Sequence, residues 1–557
     1  MEQLLLLPPA AAGRRLGLVL GRLVLLLAII PSNHCHRHFP VSAEEDGNVN
    51  RSSFPAGFVF GAGSSAYQYE GAANVDGRGP SIWDVFTNKY PGRIDDGNNG
   101  DRGVDFYYRY KEDIKLIKDV NMNGFRISIS WSRILPTGRI SGGVNEKGIM
   151  FYHNLIDELL SNGIEPFVTI YHFDLPQALE EEYGGFLSPR IVDDYKEFAE
   201  LCFREYGGKV KKWITINEPW TISIFGYEQG IFAPGRCSDW VNPACQAGDS
   251  ATEPYIVSHH VLLSHASAVN LYRQKFQKRQ NGEIGIVLNC FWMLPYSNST
   301  VDKAAAERAV DFVFGWHMEP ITFGRYPKSM EANVGERLPN FTEEQSLRLI
   351  GSYDFVGVNY YSSFYAMESK MADQNRLRYQ TDSLTEWKCK YLASILTEKD
   401  GIPIGPHGAL FWLNVYPQGI RDVMNHVKSK YNNPPMYITE NGLDEEAEGI
   451  TVEESLHDPK RTQYIKTHLL QLQKAIKDGA NVRGYFAWSF LDNYEWCNGY
   501  AVRFGLHYVD YQNGMRRVPK HSANWFADFL LHSNHSTTAA ADRHLRLTQP
   551  QGSSCSS

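Results

Sequence analysis

The feature that most constrains this chain is an alternation between two periodicities. Short runs rich in β-branched and aromatic residues occupy positions 55–60, 124–131, 165–172, 212–218, 284–289, 355–359, 436–442 and 483–490. Between them lie longer stretches with apolar residues every third or fourth position, as at Phe106, Tyr110, Ile114 and Ile117. The first pattern is that of strands and the second that of helices packed by one face. Helical segments are expected at 106–120, 152–160, 195–205, 304–314, 343–350, 417–430, 462–478 and 521–531. Strands that alternate with helices pair in parallel, and eight of them suggest a closed barrel. The expected fold is α/β, a single (β/α)8 TIM barrel with long βα loops. A doubly wound open sheet is the rival, but no Gly-rich fingerprint follows a first strand.

In such barrels the working residues sit at the C-terminal ends of the strands. Those ends read Gln68, Arg126, His172, Asn217 with Glu218, Asn289, Asn359 with Tyr361, Glu440 with Asn441, and Trp488. A barrel using these positions only for packing would carry Val, Ile or Leu at several of them. Two glutamates stand out. Met436-Tyr437-Ile438-Thr439-Glu440-Asn441-Gly442 is a buried strand running into a turn, and Lys212-Trp213-Ile214-Thr215-Ile216-Asn217-Glu218-Pro219 has the same form. Breaking a glycosidic bond takes two carboxylates. Barrel closure brings the ends of the fourth and seventh strands to one mouth. Taken singly, each residue has a plainer reading: a solvated turn glutamate, a satisfied histidine, a structural arginine, a core aromatic. Their joint occurrence at strand ends favours a site.

Composition narrows the partners. The net charge is −8 and no long basic tract occurs, which argues against nucleic acid and anionic membrane surfaces. The 12 Trp and 31 Tyr suit sugar rings, whose apolar faces stack on aromatic side chains, although most such residues in any protein are core. No metal-ligand spacing and no cofactor motif is found. His259 and His260 are adjacent, on different sides of a helix, and read as structural.

The N-terminal region differs from the rest. Arg14 and Arg15 precede Leu16–Leu20 and Leu23–Ile30, with Arg22 between them. Residues 1–43 read as a secretory signal; the uninterrupted apolar stretch is shorter than the roughly 18 residues of a membrane span. The mature chain is expected to leave the membrane and travel the secretory pathway, to the cell wall, extracellular space or vacuole. Residues 44–531 then form the catalytic domain, and 532–557, rich in Ser, Thr, Gln and Ala, a disordered tail. Sequons at Asn50, Asn298, Asn340 and Asn534 suit that route. Of the eight cysteines, Cys237 and Cys245 flank a short turn-rich loop and could bridge in an oxidising compartment. Cys202, Cys290, Cys389 and Cys497 read as small buried apolar groups.

Several of these segments together resemble glycoside hydrolase family 1, the plant β-glucosidase type above all. The resemblance runs from about Phe54 to Leu530. It is carried by Ile214-Thr215-Ile216-Asn217-Glu218-Pro219-Trp220 and Tyr437-Ile438-Thr439-Glu440-Asn441-Gly442. Ser65-Ala66-Tyr67-Gln68-Tyr69-Glu70-Gly71, Phe125-Arg126-Ile127-Ser128, His172-Phe173-Asp174-Leu175-Pro176 and Trp488-Ser489-Phe490-Leu491-Asp492-Asn493-Tyr494-Glu495-Trp496 add to it.

The resemblance implies a retaining mechanism, with Glu440 as nucleophile and Glu218 as acid/base, their carboxyls about 5–5.5 Å apart. It further implies that Arg126 and Tyr361 hold Glu440, and that Asn217 meets the sugar 2-hydroxyl. Gln68, His172, Glu495 and Trp496 would read the other hydroxyls. Trp488 would be the stacking floor, Phe504 would close the pocket, and Trp412 would be the leaving-group platform. Cys237 and Cys245 fall where plant members close a loop at the entrance. Thioglucosidases of this family carry Gln at the acid/base position; the intact Glu218 favours O-glycosides.

The expected activity is thus hydrolysis of terminal β-D-glucosyl residues from aryl glucosides or β-linked oligosaccharides, with no cofactor. A transglucosidase on the same scaffold is the alternative within enzymes. A non-catalytic glucoside-binding protein is the alternative outside them. Oligomeric state is not legible.

Overall fold

Eight parallel strands close into a barrel in the computed structural model, which describes residues 49–369, 376–386 and 397–531. The strands are β1 (Val59–Gly63), β2 (Gly124–Ser128), β3 (Glu165–Tyr171), β4 (Lys212–Asn217), β5 (Glu283–Asn289), β6 (Phe355–Asn359), β7 (Met436–Asn441) and β8 (Val482–Ala487). Each pairs in parallel with its sequence neighbours, and β1 closes the ring against β8 through Gly61↔Phe486 and against β2 through Gly61↔Gly124. The signal segment, Cys389, Asn534 and the tail lie outside the described residues.

The connecting helices follow the expected pattern, with bounds that agree closely for Phe106–Asp119, Gln418–Lys430 and His521–Leu531 and start earlier for Glu146–Ser161, Ile191–Tyr206 and Pro459–Lys477. A 20-residue helix, Glu253–Tyr272, whose bounds the sequence reading did not give although it set His259 and His260 on a helix, lies between β4 and β5. It holds His259 against the Tyr326 hydroxyl at 3.0 Å and His260 against the Phe186 carbonyl at 2.8 Å. The helix expected at 304–314 begins at Thr300 and runs on through a π-turn at Asp311–Gly315 to Phe323.

The strands expected at 124–131 and 483–490 stop three residues early, β2 at Ser128 and β8 at Ala487, and the first strand is displaced. The expected strand at 55–60 is β1 at Val59–Gly63, and the Gly/Ser-rich stretch after it is half strand, half short helix (Ala66–Tyr69). Gly61 and Gly63 mark close approach. A Cβ on Gly61 would stand 2.6 Å from the Phe486 ring, and one on Gly63 2.8 Å from Trp488. Glycine inside a strand often signals such an approach.

The barrel interior is filled, not open. Val59, Phe167, Ile214, Val287, Phe355, Tyr437 and Phe486, one from each strand but β2, form a buried cluster of their own. β2 contributes Gly124, where a Cβ would come within 2.6 Å of Val59. Phe167 meets Phe486 edge-on at 4.7 Å and Tyr437 at 5.2 Å. Two residues further along the inward rows stand Arg126 beyond Gly124, Asn289 beyond Val287 and Trp488 beyond Phe486. The apolar plug therefore floors a polar layer at the strand ends. Trp83, Trp131, Trp213 and Trp316 are fully buried among the helices, so much of the tryptophan content is core.

Candidate active site

Strand irregularity aims the two glutamates. Strict alternation along β7 would point Thr439 and Glu440 to opposite faces. The pairing of β7 slips between Ile438 and Glu440 on the β6 side, and between Ile438 and Asn441 on the β8 side. A bulge of this kind bends the strand and re-aims a side chain. Glu440 thereby turns into the cavity. β4 slips likewise against β5 between Ile214 and Asn217. Glu218 then takes a left-handed backbone, φ +43°, immediately before the helix Pro219–Tyr227. Both Asn217 and Glu218 line the cavity as a result.

Glu440 is buried between two donors. The Arg126 guanidinium forms a close ion pair with Oε1, and the Tyr361 hydroxyl donates to Oε2 at 2.8 Å. Arg126 reaches it from inside β2 and not from a strand end. Asn441 fixes the strand end behind it. Its amide donates to the Tyr360 carbonyl at 2.7 Å and its carbonyl accepts from Tyr485 at 2.9 Å.

A hydrogen-bond chain joins the two glutamates' supports. Arg126 Nη2 donates to Asn217 Oδ1 at 2.7 Å, and Asn359 Nδ2 donates to the same oxygen at 3.2 Å and to Glu218 Oε1 at 2.7 Å. Thr439 donates to Asn359 Oδ1 at 2.7 Å. Guanidinium cannot accept a hydrogen bond, so Asn217 must present its oxygen to Arg126 and its NH2 to His172 Nε2, 3.2 Å away. His172 Nε2 is then an acceptor, and the proton sits on Nδ1. Burial, and then the Arg126 charge, hold the ring neutral, well below the ordinary histidine range. Nδ1 is itself buried and has no hydrogen-bond partner among the described residues, although the ring lines the cavity.

Electrostatics separates the roles of the glutamates. Burial, and then the charge on Glu440, push Glu218 up to about 7, against hydrogen bonds from Thr221 (2.6 Å) and Asn359 that favour its ionised form. A carboxyl in that state can give a proton near neutrality. Burial and Glu440 likewise raise Glu495 to about 8, opposed by a hydrogen bond from Trp488.

A cavity lies above the plug, at the strand ends. It brings together His172, Asn217, Glu218, Tyr361, Trp412, Glu440, Trp488, Glu495, Trp496 and Phe504 from the sequence expectation. Gln68 stands apart. Its side chain is fully buried, bonded to Ser65, Asn493 and the Tyr494 carbonyl, and it touches the site only through Glu495 at 3.4 Å. It sits on the short helix after β1 because that strand ends five residues earlier, at Gly63. Trp412 is half-buried and meets Tyr361 edge-on at 6.0 Å. The Cys237–Cys245 disulfide is formed and abuts Gly230, between cavity-lining Gln229 and Ile231.

Sequence reasoning missed Thr221 as a partner of Glu218. It also named Asn359 without a role. The aromatic wall after Glu218 (Trp220, Phe225, Phe291) went unread, although the uncharged run 219–227 was a visible signal.

A closed βα barrel with two glutamates at its mouth, one clamped by arginine and tyrosine and one raised toward neutrality, is the architecture of a glycoside hydrolase working by paired carboxylates. The chain belongs to glycosyl hydrolase family 1, which it matches over residues 50–535. It is 52% identical over 523 residues to Beta-glucosidase 12 of Oryza sativa subsp. indica, covering 94% of this chain and all of that one. It is 54% identical over 490 residues to Beta-glucosidase 32 of Arabidopsis thaliana, covering 87% of this chain and 90% of that one. Among solved structures, rice Os3BGlu6 β-glucosidase superposes with a TM-score of 0.84 at 48% identity, covering 87% of this chain and 100% of that one; a mutant of it is solved in a covalent complex with Glc.

Proposed function

We propose that this chain is a retaining β-glucosidase that removes terminal non-reducing β-D-glucosyl residues. The observation that carries this is the unequal treatment of two glutamates in one cavity: Glu440 between Arg126 and Tyr361, Glu218 raised to about 7. The β-glucosidase relatives, and the rice enzyme's covalent complex with Glc, support glucose as the sugar.

The chemistry follows from the contacts. Glu440 attacks the anomeric carbon while Glu218 protonates the departing oxygen. A glycosyl ester forms on Glu440, whose charge is thereby lost. Glu218 no longer faces that charge, ionises more readily, and takes a proton from the water that hydrolyses the ester. Arg126 and Tyr361 steady Glu440 as nucleophile and as leaving group. The Asn217 amide meets the 2-hydroxyl, the His172 ring and the Glu495 carboxyl meet further hydroxyls, and Trp488 floors the ring. Gln68 acts through Glu495. Both carboxylates are present with their supports, an expense the binding-protein reading does not require.

The chain is assigned to the secretory pathway, with residues 1–43 as signal and 532–557 as tail. The formed disulfide suits an oxidising compartment, and Asn298 and Asn340 are exposed. Among the described residues no helix is long and apolar enough to cross a membrane.

A panel of 4-nitrophenyl β-glycosides tests the sugar. The glucoside and fucoside are expected to turn over fastest, and the mannoside, with its 2-hydroxyl turned away from Asn217, slowest. A mannoside or galactoside preference would contradict the assignment.

A further inference from the structure

We propose that Ser362 and Asp444 are positioning residues. They fasten the hairpin carrying Trp412 to the two chain segments that hold Glu440, and so set where a leaving group lies relative to the nucleophile. The inference rests on the β-glucosidase reading, with Trp412 on the leaving-group side. Neither Ser362 nor Asp444 lines the cavity, so both act through the hairpin.

Residues 405–415 turn back on themselves beside the cavity. The Gly408 N–H donates to the Leu413 carbonyl at 2.9 Å, that of Leu413 to the Leu410 carbonyl at 3.0 Å, and that of Val415 to the Pro406 carbonyl at 2.7 Å. His407 and Asn414 pair antiparallel across the turn. The tip turns Leu410, Phe411 and Trp412 to the cavity. These bonds shape the hairpin without fixing it to the barrel.

Two buried polar groups supply that fixing. Ser362 follows Tyr361, the hydroxyl donor to Glu440. Its own hydroxyl donates to the Trp412 carbonyl at 2.8 Å and accepts from the Asn414 N–H at 2.9 Å. The Asn414 side chain adds a bond to the Ser363 carbonyl at 3.2 Å. Asp444 stands four residues beyond Glu440, and its Oδ2 accepts from the Leu410 N–H at 2.6 Å. Among the described residues its Oδ1 has no hydrogen-bond partner, and it lies against Gly408, where a Cβ would stand 2.0 Å away. A buried carboxyl with one oxygen unpaired costs stability, so the fold alone gives little reason for it.

The two anchors bracket Trp412, one at Leu410 and one at Trp412 and Asn414. The segments they belong to are tied to each other. The Tyr360 N–H donates to the Glu440 carbonyl at 3.0 Å, and Asn441 Nδ2 donates to the Tyr360 carbonyl at 2.7 Å. Tyr464 donates to the Tyr361 carbonyl at 2.9 Å from the helix behind. Hairpin, nucleophile and nucleophile support thus share one frame, in which a shift of about 1 Å is enough to cost rate.

Ser362→Ala, Asp444→Ala and Asp444→Asn are compared with the parent on methyl and 2-phenylethyl β-D-glucosides. Both leaving groups depart as alkoxides and lean alike on Glu218, and only the second carries a ring to lie on Trp412. Ser362→Ala and Asp444→Ala should lower kcat/KM for the phenylethyl glucoside by roughly tenfold, mainly through KM. Turnover of the methyl glucoside and inhibition by glucose should change less than about twofold. Asp444→Asn keeps an oxygen for the Leu410 N–H and should retain most of the parent's value. Equal losses on both glucosides, or a matching loss of affinity for glucose, would mean that the anchors serve the fold as a whole and would overturn the proposal. Unchanged kinetics in Ser362→Ala would overturn it too; that variant removes one oxygen and carries the test if Asp444→Ala does not fold. Equal kcat/KM on the two glucosides in the parent would take Trp412 off the leaving-group side and end the proposal, with the glucosidase reading intact. No turnover of any β-glucoside by the parent, the 4-nitrophenyl one included, would overturn the glucosidase reading itself.

Discussion

The Asn359 amide on β6 donates to the Glu218 carboxyl just beyond β4 at 2.7 Å, reaching past the intervening β5. That bond favours the ionised carboxylate and so opposes the burial that raises Glu218. Asn359→Ala should move Glu218 above its present value of about 7 and shift the alkaline limb of kcat/KM upward with it. The same change frees the acid to rotate, and a loss of roughly 10- to 100-fold in kcat on alkyl glucosides is expected. A pH–rate profile of the variant checks both. An unmoved limb would show that Asn359 does not act on Glu218.

Glu440→Ala removes the proposed nucleophile and leaves Arg126 and Tyr361 without their partner. Turnover should fall by at least about a thousandfold. Added azide should restore turnover by attacking from the vacated side, giving an α-glucosyl azide. Circular dichroism and thermal melting should show the fold retained. Survival of ordinary hydrolysis would remove Glu440 from the nucleophile's role.

Glu218→Ala should separate substrates by their need for a proton. A 2,4-dinitrophenyl glucoside leaves unaided, so the first step with it should lose little. Alkyl glucosides should lose roughly a hundredfold or more. Equal losses on both would count against general-acid catalysis.

Much of this was legible in the sequence, and the omissions have physical causes. The eight strands and both glutamates were readable because period-two runs and strand-end carboxylates are local signals. β1 was misplaced because Gly61 and Gly63 answer to Phe486 and Trp488, more than four hundred residues away. Arg126 was read as a strand-end residue, yet it reaches Glu440 from inside β2. The bulges that aim Asn217 and Glu440 leave no sequence mark, since they depend on the neighbouring strands. The tautomer of His172 emerges only from the order Arg126, Asn217, His172 in space.

Stability should carry the cost of the raised acid. Glu218 titrates near its ordinary 4.5 when unfolded and at about 7 when folded. Between those values the folded chain holds the extra proton, so stability falls as pH rises from about 4.5 to 7 and stays lowered above. Glu218→Gln keeps the shape without the charge. It should melt higher than the parent at pH 8, by up to about 3 kcal/mol, and equally at pH 4. Thermal unfolding at the two pH values reads the difference directly.

The central claim is that Glu440 and Glu218 act by double displacement, and the first anomer released tests it most directly. Hydrolysis of a β-glucoside followed by proton NMR within the first turnovers, before mutarotation, should show the β-anomeric signal of glucose rising first. Initial appearance of the α-anomer would mean a single inverting attack by water and would contradict the assignment of Glu440 as nucleophile.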